Sequence, residues 1–228
     1  MELRKIMLIA LLMAAFSSDV IAQGITNIGF KGGLNFSTYI GDDVDEENIV
    51  LKKNLAFGCF VNYEINTFFS IQPELLFTVK GFKYLREETW YDDDGYYRIA
   101  RNISTRDLSY LEIPILTKLN ISLNNNVKLN TFFGPALAYN VKATYDLSVV
   151  YKTYEDSELI FEESAGVYNQ DLENIKSIDY GLIFGFGIEL GKFFIDTRYY
   201  MGLESIDNSS ENWDLKNSVI SIMLSISI

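Results

Sequence analysis

The chain has no histidine among its 228 residues. That excludes any mechanism built on an imidazole general base and any His-ligated metal centre. Its single cysteine, Cys59, allows neither an intrachain disulfide nor a Cys-rich zinc site. Cys59 sits in phase with Phe57, Val61 and Tyr63, as an inert apolar thiol would. Cations are scarce: 19 Lys and Arg stand against 31 Asp and Glu, a formal net charge of -12. A nucleic-acid partner, which calls for a basic patch, is therefore not expected. No apolar run reaches the roughly 20 residues that a membrane-spanning helix needs. The longest, residues 6–16, follows Arg4 and Lys5 and precedes Val20-Ile21-Ala22, so residues 1–22 read as a cleaved signal peptide. Residues 23–228 are left as one mature domain, with no cysteine placed for a lipid anchor.

What the chain has in abundance is period-two alternation. In residues 179–190, Tyr180, Leu182, Phe184, Phe186, Ile188 and Leu190 share one face. Asp179, Gly181, Ile183, Gly185, Gly187 and Glu189 share the other. Gly191-Lys192 is a two-residue turn, and the chain returns with Phe193, Ile195, Thr197 and Tyr199 opposite Phe194, Asp196, Arg198 and Tyr200. That is a β-hairpin with two unlike faces. The pattern recurs in residues 27–37, 55–65, 69–80, 110–121, 128–137 and 220–228, which gives eight strand candidates.

The connections alternate long and short. Asn66-Thr67, residues 124–126 and Gly191-Lys192 are short; the polar segments at residues 41–48, 85–106, 146–177 and 204–214 are long. An even number of strands with tight turns at one end and longer loops at the other predicts an all-β, antiparallel, up-and-down transmembrane β-barrel of eight strands. Its four long loops would be extracellular and its three short turns periplasmic.

The polar faces carry Lys31, Glu64, Glu74, Lys80, Glu112, Lys118, Lys128, Glu189, Asp196 and Arg198. Acids and bases match, as they must if these side chains share a narrow interior, since an unpaired buried charge costs several kcal/mol. The expectation is a lumen ion network of structural purpose, with no catalytic, cofactor or metal residues. Placing the same charges toward lipid would cost roughly 2–4 kcal/mol for each mid-membrane Lys or Arg. A soluble, secreted, lipocalin-like barrel with an apolar inside remains the alternative. Phe68, Phe69, Phe132, Phe133, Phe193 and Phe194 beside the short turns, and Tyr39, Tyr84, Tyr145, Tyr199 and Tyr200 near the long loops, predict two aromatic girdles.

All three prolines, Pro73, Pro114 and Pro135, fall inside strand candidates, where a missing N–H breaks the ladder. Bulges are expected there, with faces shifted beyond each. Gly185-Phe-Gly187 with Gly191 is not a dinucleotide fingerprint, because no helix follows; small inward residues making room for bulky neighbours explain it. Residues 42–47 and 92–94 lack EF-hand spacing and read as solvated acidic loops, although calcium binding stays open. Glu112 with Glu74 or Glu189 is a paired-carboxylate candidate, but the lysines and Arg198 nearby favour ion pairing. Trp90, Tyr91, Tyr96, Tyr97 and Trp213 are candidate adhesive side chains on the outer loops.

An ordered set of motifs adds a resemblance. It comprises residues 29–37 (Gly-Phe-Lys-Gly-Gly-Leu-Asn-Phe-Ser), 71–81 (Ile-Gln-Pro-Glu-Leu-Leu-Phe-Thr-Val-Lys-Gly) and 110–118 (Tyr-Leu-Glu-Ile-Pro-Ile-Leu-Thr-Lys). Gly134-Pro135, residues 179–187 and residues 196–203 (Asp-Thr-Arg-Tyr-Tyr-Met-Gly-Leu) complete it. Together these resemble the PorT-like outer-membrane β-barrel family of Bacteroidota along nearly the whole mature chain. The resemblance implies an outer-membrane location. It implies little about activity: the family's founding member is tied to type IX secretion and gliding, while most relatives have no assigned role. The functional expectation is a monomeric, non-enzymatic scaffold in outer-membrane lipid, without cofactor, whose loops meet envelope or secretion proteins. A lipid-modifying enzyme is the remaining reading, disfavoured by the absent histidine.

Overall fold

The computed structural model describes residues 25–42, 44, 48–93, 95–124, 126–155, 158–210 and 213–228, with the side chains of residues 25 and 26 left undescribed. The signal-peptide segment, residues 1–22, lies outside them, as do Asp43, Asp45, Glu46, Glu47 and Asp94 of the acidic segments. The strands are β1 (Ile25–Ile40), β2 (Ile49–Val50), β3 (Lys52–Glu64), β4 (Phe69–Tyr91), β5 (Tyr97–Asn124), β6 (Val127–Glu155), β7 (Glu158–Asp171), β8 (Ile178–Leu190), β9 (Phe193–Gly202) and β10 (Lys216–Ser227).

Eight of them close on themselves. β1 pairs with β3, β3 with β4, β4 with β5, β5 with β6, β6 with β8, β8 with β9, β9 with β10 and β10 with β1, all antiparallel. Closure removes every free edge from that level of the fold. Three tight turns sit at one end. Asn66 Oδ1 accepts from the Phe68 and Phe69 amides at 2.8 and 2.9 Å, and Asn124 Oδ1 from the Asn126 amide at 2.9 Å. Gly191 takes φ 62, a left-handed geometry open to glycine at the first centre of a two-residue hairpin.

The apolar faces point outward. Along β5, Leu111, Ile115, Leu119 and Ile121 are exposed, while Glu112, Leu116, Lys118 and Asn120 between them are buried. On β8 and β9 Phe184, Phe186 and Phe193 are exposed, whereas Ile183, Phe194, Asp196 and Arg198 are buried. Ten residue steps from Leu111 to Ile121, at about 3.3 Å each and a tilt near 40°, climb about 25 Å, the height of a transmembrane apolar band. The soluble lipocalin-like alternative is thereby overturned: the greasy side is the outside, and the interior is polar.

Three expectations are corrected. First, no bulge occurs at the prolines. The β4–β5 register is the same at Pro73↔Ile115 and Leu76↔Glu112, and the β5–β6 register is the same at Pro114↔Ala136 and Thr117↔Phe133. Pro135 pairs with Leu182 inside an unbroken β6–β8 ladder. Each proline is paired on one side and lies in a short ladder gap on the other. Pro73 faces a gap toward β3, Pro114 one toward β4 and Pro135 one toward β5. The missing donor thus costs a local pair and leaves the faces unshifted. The register shifts in the β5–β6 wall lie instead between Ser109 and Tyr110 and between Ser122 and Asn124.

Second, residues 85–106 and 146–177 are largely strand. β4, β5 and β6 run 23, 28 and 29 residues, and continue beyond the apolar band with β7 as a four-stranded sheet. Polar composition had marked these segments as loops, but a sheet wetted on both faces needs no apolar alternation. Third, Phe132, Phe194, Tyr39 and Tyr200 belong to no girdle, being 3–7% exposed and turned into the interior. Phe68, Phe69 and Phe193 do lie outside near the turns, whereas Phe133, also outside, pairs with Phe184 farther up the wall.

Candidate functional site

The interior is where the ten charged residues of the polar faces are placed. At mid-barrel Lys31 Nζ donates to Glu74 Oε1 at 2.6 Å and lies 3.5 Å from Asp196 Oδ2. Arg198 spans the same two carboxylates. Its Nη1 donates to Glu74 Oε2 at 2.7 Å, its Nε to Asp196 Oδ1 at 2.7 Å and its Nη2 to Asp196 Oδ2 at 3.0 Å. All four side chains are essentially inaccessible. Gln72 extends the cluster, donating to Glu74 at 2.7 Å and accepting from Lys118 Nζ at 3.0 Å.

A second cluster lies toward the loop end. Lys80 Nζ is 2.7 Å from Glu112 Oε2 and donates to Asp179 Oδ2 at 3.2 Å. The ammonium approaches Glu112 off the hydrogen-bonding direction, so Oε2 has a charge partner there but no hydrogen bond. Asn217 Nδ2 adds a 2.9 Å bond to Asp179, and Lys80 sits over the rings of Tyr200 and Tyr110. A third, half-exposed cluster near the turns joins Lys128 to Glu64 at 3.3 Å and to Glu189 at 3.8 Å.

Glu112 therefore meets neither Glu74 nor Glu189 as a carboxylate pair; each of the three has its own cation. Asp179, Gln72 and Asn217 are the members that reading the sequence left out. Asp179 was visible, since it shares the alternation face of Glu189 on β8. Gln72 and Asn217 carry no charge and gave no comparable signal.

Bulky side chains fill the remaining space. Arg198 stacks over Phe132, Lys118 over Phe194 and Lys31 over Phe60. A Cβ on Gly185 would run into the Phe132 ring, so the Gly-rich face of β8 is where the aromatics lodge. Between Asn62, Gln72, Lys118 and Phe194 only about 20 Å³ stays open, room for about one water.

At the other end the loops are tied to one another. The Asp207 carboxylate accepts from the Ser209 amide and hydroxyl and from the Trp213 amide, and Ser205 Oγ donates to the Trp213 carbonyl at 2.6 Å. Ile206, 1% exposed, plugs the loop 203–215 into a buried apolar cluster with Tyr39, Leu108 and Tyr110. The loop 172–177 is pinned to it by Lys176 N to Ile206 O at 2.8 Å and by the Lys176–Glu204 pair at 2.9 Å. The Tyr180 hydroxyl and Lys176 hold the Glu204 carboxyl below its ordinary range, and Lys216 does the same for Asp214.

Beyond this rim stands the sheet of β4 to β7. Glu87 and Arg101, and Lys152 and Glu162, form cross-strand ion pairs on it. Tyr97 packs between Tyr91 and Tyr154 at ring distances of 5.3 and 6.1 Å. Trp90, Tyr91 and Trp213 are exposed, and β7 is exposed along its whole length. Among the described residues β7 pairs with β6 alone, so its outer edge is open.

Residues 21–208 match a family model described as an outer membrane protein beta-barrel domain. No curated protein matches the chain in sequence. Among solved structures it is similar to Ail, the attachment invasion locus protein of Yersinia pestis, in complex with the heparin analogue sucrose octasulfate. Identity there is 14%, over 89% of this chain and 98% of that one, with a TM-score of 0.36. It is similar also to Neisserial surface protein A, at 10% identity over 88% of this chain and 97% of that one, with a TM-score of 0.41.

Proposed function

This chain belongs to the outer membrane protein β-barrel family, and we propose that in the bacterial outer membrane it acts as a rigid, non-enzymatic scaffold for its extracellular sheet and rim. The observation that carries this reading is the continuation of β4, β5 and β6 past the apolar band into a four-stranded sheet ending in the exposed edge of β7. A barrel plugged by interlocked ions has little to move, and binding groups on such folds sit on segments held by a rigid frame. An open strand edge offers main-chain hydrogen bonds to an extended segment of a partner. The partner class is an envelope or surface protein.

The ordered motifs shared with PorT-like barrels of Bacteroidota support placing that partner in type IX secretion. Closure of the barrel, which leaves no free edge in the membrane band, supports a monomer. The ion network serves structure: Glu74, Glu112 and Glu189, the candidate acids and bases of the lumen, are each tied to a cation.

The test is complementation of a deletion strain by a chain whose β4–β5 and β6–β7 hairpins are shortened in register to the rim. Retained heat-modifiable migration on gels, with loss of complementation and of type IX cargo export, is the expected result. Full complementation by the shortened chain would overturn the scaffold reading, and complementation lost with cargo export intact would overturn its secretion branch.

A further inference from the structure

The mouth of the barrel is hollow. Above the buried cluster of Tyr39, Leu108, Tyr110 and Ile206 the loops leave a cavity of about 720 Å³. That lies within the roughly 300–1,000 Å³ of small-molecule sites. Its walls include Tyr39, Phe82, Tyr84, Arg106, Asp207 and Trp213, drawn from β1, β4, β5 and the loop 203–215.

Among the described residues, two donors carried by side chains of this wall lack hydrogen-bond partners. Tyr39 is 3% exposed, and its hydroxyl is buried with no hydrogen bond; the Arg106 Nε is in the same state. Each buried donor left unsatisfied costs about 1–3 kcal/mol, which a ligand oxygen would recover once a small shift of these side chains opens the two donors to the cavity they line. The two groups are adjacent in the packing: the Tyr39 and Phe82 rings lie 4.5 Å apart, and the Arg106 guanidinium rests 5.4 Å from the Phe82 centroid.

The remaining lining narrows the ligand. Asp171, Glu173 and Asp207 set three carboxylates against the guanidinium of Arg106, so an anion is repelled. A purely apolar molecule would leave both donors unsatisfied. Carboxylates accept from hydroxyls, Arg106 and Tyr39 donate to them, and the aromatic faces match the C–H faces of a pyranose ring. Asp207 is already fixed by Ser209 and Trp213, so little ordering is left to binding.

We propose that the mouth cavity is a binding site for a short neutral saccharide, held by Arg106, Tyr39 and the loop carboxylates against the aromatic wall. The proposal rests on the rim being the working end of the barrel. A free sugar and the headgroup of a neutral glycolipid offer this same chemistry.

The folded, full mature chain is titrated in detergent with maltose, lactose and N,N′-diacetylchitobiose, followed by Trp fluorescence and calorimetry. Vesicles carrying a neutral glycolipid form a parallel arm that separates the two sources. Saturable binding in either arm is expected, weakened about tenfold or more in Arg106→Leu and in Tyr39→Phe, each of which removes a donor worth about 1.4 kcal/mol or more. Tyr39→Phe is the discriminating variant, because an idle buried hydroxyl could be removed without affecting binding. Three results would overturn the proposal: no saturable binding in either arm up to about 10 mM, beyond the millimolar end of the affinity scale; wild-type binding by both variants; or tighter binding of a sulfated disaccharide than of its neutral parent. Sugar binding and hairpin-dependent complementation are read separately, so either can fail while the other stands.

Discussion

Arg198 and Glu74 stand 124 positions apart in the chain and meet across the lumen in a fork, Nη1 to Oε2 at 2.7 Å and Nη2 to Oε1 at 3.3 Å. Lys31 completes the charge balance on the same carboxylate. Removing Glu74 leaves two cations buried without it. Glu74→Ala should therefore cost about 3–5 kcal/mol, whereas Glu74→Leu combined with Arg198→Met should cost less than the two single changes added together. Urea unfolding in lipid vesicles, read as loss of heat-modifiable migration, measures both.

The outward face makes the converse prediction. Phe184→Arg puts a cation into the middle of the apolar band and should destabilise the barrel by about 2–4 kcal/mol. The same change at Ile160 on β7, which lies beyond the band and is exposed, should stay within about 0.5 kcal/mol. Equal losses at the two positions would remove the distinction between membrane wall and protruding sheet.

Most of the barrel was legible because its alternation survives in every wall strand. The outward residues of β1, β3 and β8 through β10 follow directly from period two. The pairs inside were not legible. Lys31 and Asp196 sit 165 positions apart, and only closure of β1 against β10 brings β9 near β1. The protruding sheet was missed because polar segments carry no periodic signal when both faces are wet, so the strand character of residues 146–155 and 158–171 had nothing to reveal it. The prolines misled for a related reason. A ladder gap on one side of a strand leaves the register intact, and sequence does not say on which side the absent N–H would have pointed.

The rim should respond to acid before the barrel does. Glu204 and Asp214 have folded values below the ordinary carboxylate range, the first held by Tyr180 and Lys176, the second by Lys216. Their contribution is complete above the ordinary value near pH 4 and is lost as the pH falls through the lower folded value. Amide protection at Ile206 and Leu215, followed by hydrogen exchange, should drop in that window while gel migration of the barrel is unchanged. Simultaneous loss of both would tie the rim to the barrel instead.

The filled lumen predicts no pore. Eight strands enclose an interior about wide enough for side chains, and here rings and ion pairs occupy it. Planar-bilayer recordings of the purified protein should show no steady, large conductance; a stable open channel would contradict the packing.

Whether grease faces lipid and ions face inward is tested most directly at Phe132 and Phe133, neighbours on β6 that are 3% and 55% exposed. With Trp90 and Trp213 replaced by Phe, Phe132→Trp and Phe133→Trp are reconstituted separately into bilayers with brominated acyl chains. Strong quenching of the tryptophan at position 133 with little at 132 is the predicted result. The reverse pattern, or equal quenching at both, would contradict the orientation on which the ion network, the plugged lumen and the protruding sheet all depend.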